Sequence, residues 1–591
     1  MNESPISTGS AVEDRLPVSC SRVEPRFLIP PWVVAAVVCA LVLFANLNGY
    51  PLLDPDEGRY AEIPREMLES GDFIIPRLNY VPYLEKPPLM YWVSAASFKL
   101  FGMHEWALRV VPALFAVLGM LVAWWLTLIC FGRQSARWAP AIIASTVAYF
   151  VIARIPITDM MFSVLFAAAL TAWLGGEHVE GRKRYVLWAV SGLLLGAALL
   201  AKGPVALVLF AAIVFVYLLW IRRPLALFGG IGLPSLIALA VFAPWCIAAQ
   251  QADPQFFHFF FIVQHLNRFL GLGTPEHVKP FYYYALLLPL GFGLWALYWP
   301  GMLIAVKRAW PSLPTRARND SLFMAIWVAV VLLFFSASTC KLFQYVLPVW
   351  WPIVAVTAAW LRREFCIQQP RRRLYAPTML GAMIVGVVVL AAVLYAGHQH
   401  KVPLLVLQRP LLIFAALGII SFALLLFGSF LRKRHWTLAQ LAIAAILPLA
   451  GLLPAMNAVC IDKDMNGLIP QQLMNLPKGT PWTIAQWHVY NQSISFYTHQ
   501  RVVLVDCVSE IPLGLNEPDA AQWFRKGEAE VAKLARGGPL ALVVDTERAE
   551  GTARQFGLHV YKSNTDRAML FNDAGLRLLG QPRPAQAKPR P

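Results

Sequence analysis

The chain has 591 residues, 58% of them hydrophobic and only 14% charged, where soluble domains carry about 25% charged residues. A soluble core cannot hide that much apolar surface, and the apolar runs are too long for barrel strands, which leaves an integral membrane protein of the helical class. The formal net charge of +17 would suggest a nucleic-acid partner in a soluble chain, but the excess Lys and Arg sit in short loops between apolar runs, so topology accounts for them and no nucleic acid is expected.

Residues 1–27 read as a polar cytoplasmic tail of mixed sign. The run from Phe27 to Asn46 is too long for a signal-peptide core and lacks a small-residue cleavage site, so it reads as an uncleaved first span. About thirteen spans follow the ~20-residue requirement of a bilayer: 28–49, 106–131, 138–153, 159–175, 185–201, 204–221, 225–248, 281–306, 321–338, 343–361, 376–396, 408–431 and 437–456. With the N-terminus inside, the inner loops hold Arg133 and Arg137, Arg182 to Arg184, Arg222 and Arg223, Lys307 to Arg318, Arg362 to Arg373, and Arg432 to Arg434. That is a consistent positive-inside pattern, and the odd span count puts the C-terminal tail outside.

Three segments lie outside the bilayer core. The first external loop, 50–105, contains a helical pattern from Arg59 to Glu69 with Pro64 as a kink. It also contains an apolar stretch, "KPPLMYWVSAASFKLFG", expected to lie in the interface with Tyr91 and Trp92 at headgroup depth. The second segment, 249–280, is rich in Phe and His. The third, 457–577, alternates "TPWTIAQ", "RVVLVD" and "PLALVVD", which read as strands, with "EPDAAQWFRKGEAEVAKLA", which reads as one amphipathic helix. The fold class is therefore an all-α polytopic membrane domain, 28–456, followed by an extracytoplasmic α/β domain, with 578–591 disordered. Cys39, Cys130 and Cys246 lie in apolar runs; only Cys460 and Cys507 fall in the polar tail, where a disulfide is open to them if that tail is external.

The unusual polar residues fall on one side of this topology. Asp56, Glu57 and Arg59 open the first external loop, with Tyr60 behind them. Glu85 and Lys86 sit in "YLEKPP", Asp159 in "ITDMM", Lys202 in "AKGP", His265 and Arg268 in "QHLNRF", and Lys341 and Tyr345 in "CKLFQY". Singly each has an ordinary explanation: a solvated loop, a surface ion pair, a snorkelling lysine or an aromatic belt. Together they bring six charged stretches to one face, where desolvated charge is costly unless paired or used. The cations suit a phosphate at headgroup level, and the carboxylates suit orientation, proton transfer, or an amine or metal partner. There is no P-loop and no glycine-rich dinucleotide turn after a strand.

"LLDPDEGRYAEIPREMLESGDFIIPRLNYVPYLEKPPLMYW", "ARIPITDMMF", "LLAKGPVAL", "QHLNRFLG", "PFYYY" and "KLFQYVLP" resemble the polyprenyl-phosphate-dependent glycosyltransferases of the GT-C fold. Within them the chain is most similar to the bacterial 4-amino-4-deoxy-L-arabinose transferases that modify lipid A (ArnT type). "EKPP" is the form shared by the broader relatives. The resemblance implies a monomeric, multi-pass enzyme of the bacterial inner membrane with its site facing the periplasm. The donor would be undecaprenyl phosphate carrying aminoarabinose, the acceptor a lipid A phosphate, and the outcome resistance to polymyxin and other cationic peptides. It implies Asp56 and Asp159 as the catalytic carboxylates and Lys86 as the carrier-phosphate ligand, with Arg268 sharing that task. Arg59, Tyr60, Glu57, Tyr83, Lys202, Lys341 and Tyr345 would complete the substrate site; Glu85 and His265 would hold a divalent cation, if one is used. Asp54 reads as solvated. Other readings keep the fold but change the acceptor, as in protein O-mannosylation, or replace transfer by flipping of a lipid-linked sugar. A flippase predicts ionisable residues along the midplane rather than at one face.

Overall fold

The computed structural model of the protein describes residues 29–272, 277–364, 391, 395, 398, 404–430, 434–461, 464–507, 511–516 and 518–581. Pro31 opens the first apolar helix, α1 (Pro31–Phe44), at a position where its missing N–H has no helical partner to lose. Then come α2 (Asp56–Ser70), a two-residue hairpin β1 (Arg77–Leu78) and β2 (Val81–Pro82), α3 (Leu89–Phe101), α4 (Glu105–Ala136), α5 (Ala139–Ala144), α6 (Val147–Ile152), α7 (Thr158–Glu177), α8 (Arg182–Lys202), α9 (Val205–Trp220), α10 (Ala226–Gly230) and α11 (Gly232–Ala252). Later apolar helices include Tyr283–Phe292, Trp299–Ala309, Thr315–Ala337, Trp350–Arg362, Leu404–Phe430 and Arg434–Ile461.

Among the described residues, eight apolar segments are long enough to cross a membrane, and Pro31–Phe44, Val205–Trp220 and Gln408–Ser421 are shorter apolar helices. The expected span 376–396 lies outside the described residues, apart from 391 and 395. One helix is central: 94% of the α7 window is buried by the others, against 22% for the Ala226–Ala252 segment. Asp159 sits in the first turn of that enclosed helix.

The expected span 138–153 is instead two six-residue helices, α5 and α6. The Ser145 hydroxyl turns back to the Ala141 and Ile142 carbonyls, and Thr146 to Ile143, so these side chains compete with the helix. The indole N–H groups of Trp295 and Trp350 then donate to the Ser145 and Thr146 hydroxyls, each at 3.0 Å. A polar break deep in an apolar bundle is tolerated when its groups are satisfied this way.

Within the 50–105 connection the expected helical pattern from Arg59 to Glu69 forms part of α2, with Pro64 inside it. Tyr91 departs from expectation. It is fully buried, its ring 5.5 Å from that of Tyr60, rather than facing outward. The exposed apolar end of α3 is Leu100 and Phe101. Within 249–280 the chain forms a π-helical stretch, His258–Asn267.

The C-terminal region builds a six-stranded sheet in the order β5-β4-β3-β6-β8-β7. The three strand expectations correspond to β3 (Thr483–Trp487), β4 (Val503–Val505) and β6 (Leu540–Asp545), which pair in parallel with β3 in the middle. β5 (Phe524–Arg525) adds in parallel at one edge; β7 (His559–Ser563) and β8 (Arg567–Phe571) close the other side antiparallel. The single amphipathic helix expected between β4 and β6 is interrupted. Residues 520–523 are helical, β5 follows, and the helix restarts at Glu528 after Gly527 at φ +87°, a conformation L side chains rarely adopt. Alternation along the strands divides two cores: Ala485, Val503, Val505, Leu540 and Leu542 pack within the domain, while Ile484, Leu504, Ala541, Val543 and Phe571 join the core continuous with the helical bundle. Cys460 and Cys507, open to pairing by sequence, are both thiols here.

Candidate active site

The loop from Leu52 to Gly58 carries three carboxylates, and each has a different destination. Glu57 is buried and accepts two bonds from Arg109, Nε to Oε1 at 3.0 Å and Nη2 to Oε2 at 2.6 Å, plus the Leu53 N–H. This replaces the expected substrate-binding role of Glu57 with a structural one. Asp54 is not solvated either. It accepts from the Ser493 backbone N–H at 2.9 Å, from the Ser493 hydroxyl, and from the Asn491 amide at 3.3 Å. Burial pushes its carboxyl up, against the pull of those donors and of Arg567. Asp56, the first residue of α2, is left open: its side chain is 60% exposed, with the Arg59 guanidinium 3.7 Å away.

Asp56 and Asp159 come from segments far apart in sequence, yet both act electrostatically on the buried Tyr60 hydroxyl, whose proton burial holds more tightly. Asp159 is ion-paired with Lys202 at the end of α8. The Lys202 ammonium lies 4.3 Å over the Tyr345 ring and 5.3 Å over that of Phe162, a cation–π arrangement that fixes a flexible lysine. On the other flank, Arg59 stacks 5.7 Å over Tyr83, whose hydroxyl donates to Glu85 at 2.8 Å.

Lys86 stands where these groups meet. Its ammonium makes no hydrogen bond or ion pair among the described residues, while Glu85, Arg268, Lys202 and Arg59 all act on it. Burial and three like charges outweigh the one carboxylate and push it down to about 8. A half-buried cation with cationic neighbours is chemically suited to an anion. Arg268 faces Tyr345, Cys340 and Glu85, and these neighbours hold its guanidinium firmly protonated.

Two expected site residues, Lys341 and His265, are engaged by backbone carbonyls, and His265 lies within reach of Lys86, Lys202 and Arg268. The Lys341 ammonium donates to the Ser338 carbonyl. His265 is a clamp: its Nδ1 lies 2.6 Å from the Phe260 carbonyl and its ring packs on Phe260 at 4.6 Å. Its other edge abuts the Lys202–Gly203 turn, where a Cβ at Gly203 would come within 2.6 Å of Nε2. Burial lowers it to about 4, so it is neutral near pH 7. Glu85 is bonded to Tyr83, and among the described residues no three His, Cys, Asp or Glu side chains form a metal-ligand group. Glu85 and His265 thus each have a protein partner in this structure.

Arg109 was missed by the sequence reading. It is wholly buried in α4, holds the Leu47, Tyr50 and Pro51 carbonyls besides Glu57, and lies 3.8 Å over the Tyr50 ring. Its only signal in the sequence was a charge one turn inside an apolar run.

Residues 85–247, which include Glu85, Lys86, Asp159 and Lys202, match the family model described as dolichyl-phosphate-mannose-protein mannosyltransferase. The undecaprenyl phosphate-alpha-4-amino-4-deoxy-L-arabinose arabinosyl transferase of Aeromonas hydrophila subsp. hydrophila is 30% identical over 529 residues, which cover 86% of this chain and 92% of the relative. This chain belongs to that arabinosyl transferase family. The Erwinia tasmaniensis member is also 30% identical, over 82% of this chain and 87% of its own. The family's architecture is shared as well: the crystal structure of ArnT from Cupriavidus metallidurans bound to undecaprenyl phosphate aligns with a TM-score of 0.77 at 26% identity, over 92% of this chain and 98% of that one. The arabinosyl transferase fold therefore includes both the helical bundle and the C-terminal sheet.

Proposed function

We propose that this membrane glycosyltransferase moves 4-amino-4-deoxy-L-arabinose from undecaprenyl phosphate to a lipid A phosphate, at the periplasmic face of the bacterial inner membrane and with inversion. Family membership supports the sugar and its carrier. The observation that carries the reading to the residues is the gathering of Arg268, Lys202 and Arg59 around the Lys86 ammonium.

The bond broken joins sugar C1 to the carrier phosphate oxygen, and the electron pair leaves with that oxygen. Lys86 and Arg268 stabilise the charge that grows there. A lipid A phosphate oxygen attacks C1 from the opposite face, forming the new C1–O bond and inverting the centre. That phosphate is already ionised near neutral pH, so no strong base is required. Asp56, exposed at the start of α2, and Asp159, held by Lys202, orient the acceptor or pair with the sugar's ammonium. The cationic product lowers surface negative charge and hence binding of polymyxin-like peptides.

The family-model match to protein mannosyltransferases favours one alternative acceptor, a protein hydroxyl, for which Asp56 would act as a true base. Supplying membranes with undecaprenyl phosphate–aminoarabinose separates the two. A mass shift of lipid A by one aminoarabinose supports the proposal; glycosylated protein with unchanged lipid A refutes it.

A further inference from the structure

The C-terminal sheet domain touches the first external loop at the residues flanking Asp56. Asp54 is held by Ser493 and Asn491. The Asn491 side-chain Oδ1 accepts from Arg567 Nε at 2.9 Å, and Arg567 Nη1 donates to Asp545 at 2.6 Å. Asp545 ends β6 and Arg567 begins β8, and the two are paired in register across the sheet. A continuous line of polar bonds thus runs from two strands of the sheet to the residue two before Asp56.

Two further contacts bear on the same loop. The Tyr497 hydroxyl accepts from the Leu52 N–H at 3.0 Å and donates to Glu105 at 3.0 Å, so the 492–498 helix grips the loop at a second point. On the other side of Asp56, a Cβ added at Gly58 would lie 2.0 Å from Asp54 Oδ1 and 2.6 Å from the Ser493 nitrogen. The first turn of α2 is therefore seated on the domain's backbone with no room for a methyl group. Bond directions and close packing both fix where α2 begins, and Asp56 is its first residue.

We propose that Asp54, Asn491, Ser493 and Arg567 are positioning residues through which the C-terminal domain sets the placement of Asp56 for sugar transfer; this rests on the reading of Asp56 as a reaction-site carboxylate. The domain is then part of the catalytic apparatus rather than an appendage. The relay's bonds lead to Asp54 at the start of α2, so it governs turnover rather than donor binding.

The test uses the full-length chain, purified in detergent, with Asn491→Ala, Ser493→Ala, Arg567→Gln and the milder Arg567→Lys. Misplacing a reacting group by about 1 Å costs up to roughly 100-fold in rate. The relay predicts kcat lowered about 10–100-fold, with KM for the lipid-linked donor and affinity for undecaprenyl phosphate unchanged. Arg567→Lys should recover part of the loss, and the surface substitution Arg554→Ala should have no effect. Wild-type kcat in all relay variants, with Asp56→Asn inactive, overturns the relay and leaves the site intact. Parallel loss of kcat, donor affinity and thermal stability also overturns it, as a folding defect. Full activity of Asp56→Asn instead removes the site reading itself.

Discussion

Arg109 grips Glu57 through one guanidinium edge, Nε and Nη2 at 3.0 and 2.6 Å, and both side chains are buried. The pair ties the start of α2 to α4, and the remaining Arg109 donors hold the turn after α1. Removing one partner strands the other as a buried charge, which costs about 3–5 kcal/mol. Glu57→Gln and Arg109→Met should each lower the thermal unfolding temperature sharply. The double variant should recover much of that loss. Single variants as stable as the parent would show that the pair is not a structural element.

Lys86 gives a pH prediction with a definite sign. Its ammonium titrates near 8 in the free protein, below its usual range, so affinity for undecaprenyl phosphate should fall as pH rises through about 8. Lys86→Arg, charged throughout, should move that fall to higher pH. Lys86→Met should weaken phosphate binding at every pH below 8. A depressed lysine pKa also means that the charged form costs folding stability, fully below about 8 and less as pH rises toward the unfolded value of about 10.5. Lys86→Met should therefore raise the unfolding temperature at pH 7 while impairing binding. Flat pH dependence of phosphate affinity from 7 to 9.5 in the parent would contradict the assignment.

Gly203 is a position where no other residue fits. It has φ +96°, and a Cβ there would meet His265 Nε2 at 2.6 Å. Gly203→Ala should destabilise by about 1–3 kcal/mol from backbone strain alone. It should also displace His265 and the neighbouring Lys202, which lowers donor affinity. Unaltered unfolding temperature and affinity would show that the turn is not constrained.

The helical, membrane-spanning character of the chain was legible because it depends on local composition. The convergence of Lys86, Asp159, Lys202 and Arg268 was legible for the same reason: charges at span mouths stand out against apolar runs. Glu57 and Asp54 were not, because their partners lie 52 and 439 residues away and a local pattern carries no sign of them. The break at Ser145–Thr146 was hidden likewise, since what stabilises it are tryptophans 150 and 204 residues further on. His265 looked like a ligand because sequence shows its type but not the Phe260 carbonyl that occupies it.

The central claim is that Asp56 and Asp159 form the reacting face of one site. The most direct test is aminoarabinose addition to lipid A, read by mass spectrometry, in membranes holding Asp56→Asn, Asp159→Asn or the parent at matched protein levels. Asp56→Asn should abolish the added mass. Asp159→Asn should greatly reduce it, since it also releases Lys202 from its ion pair. Parent-level modification in both variants would contradict the account.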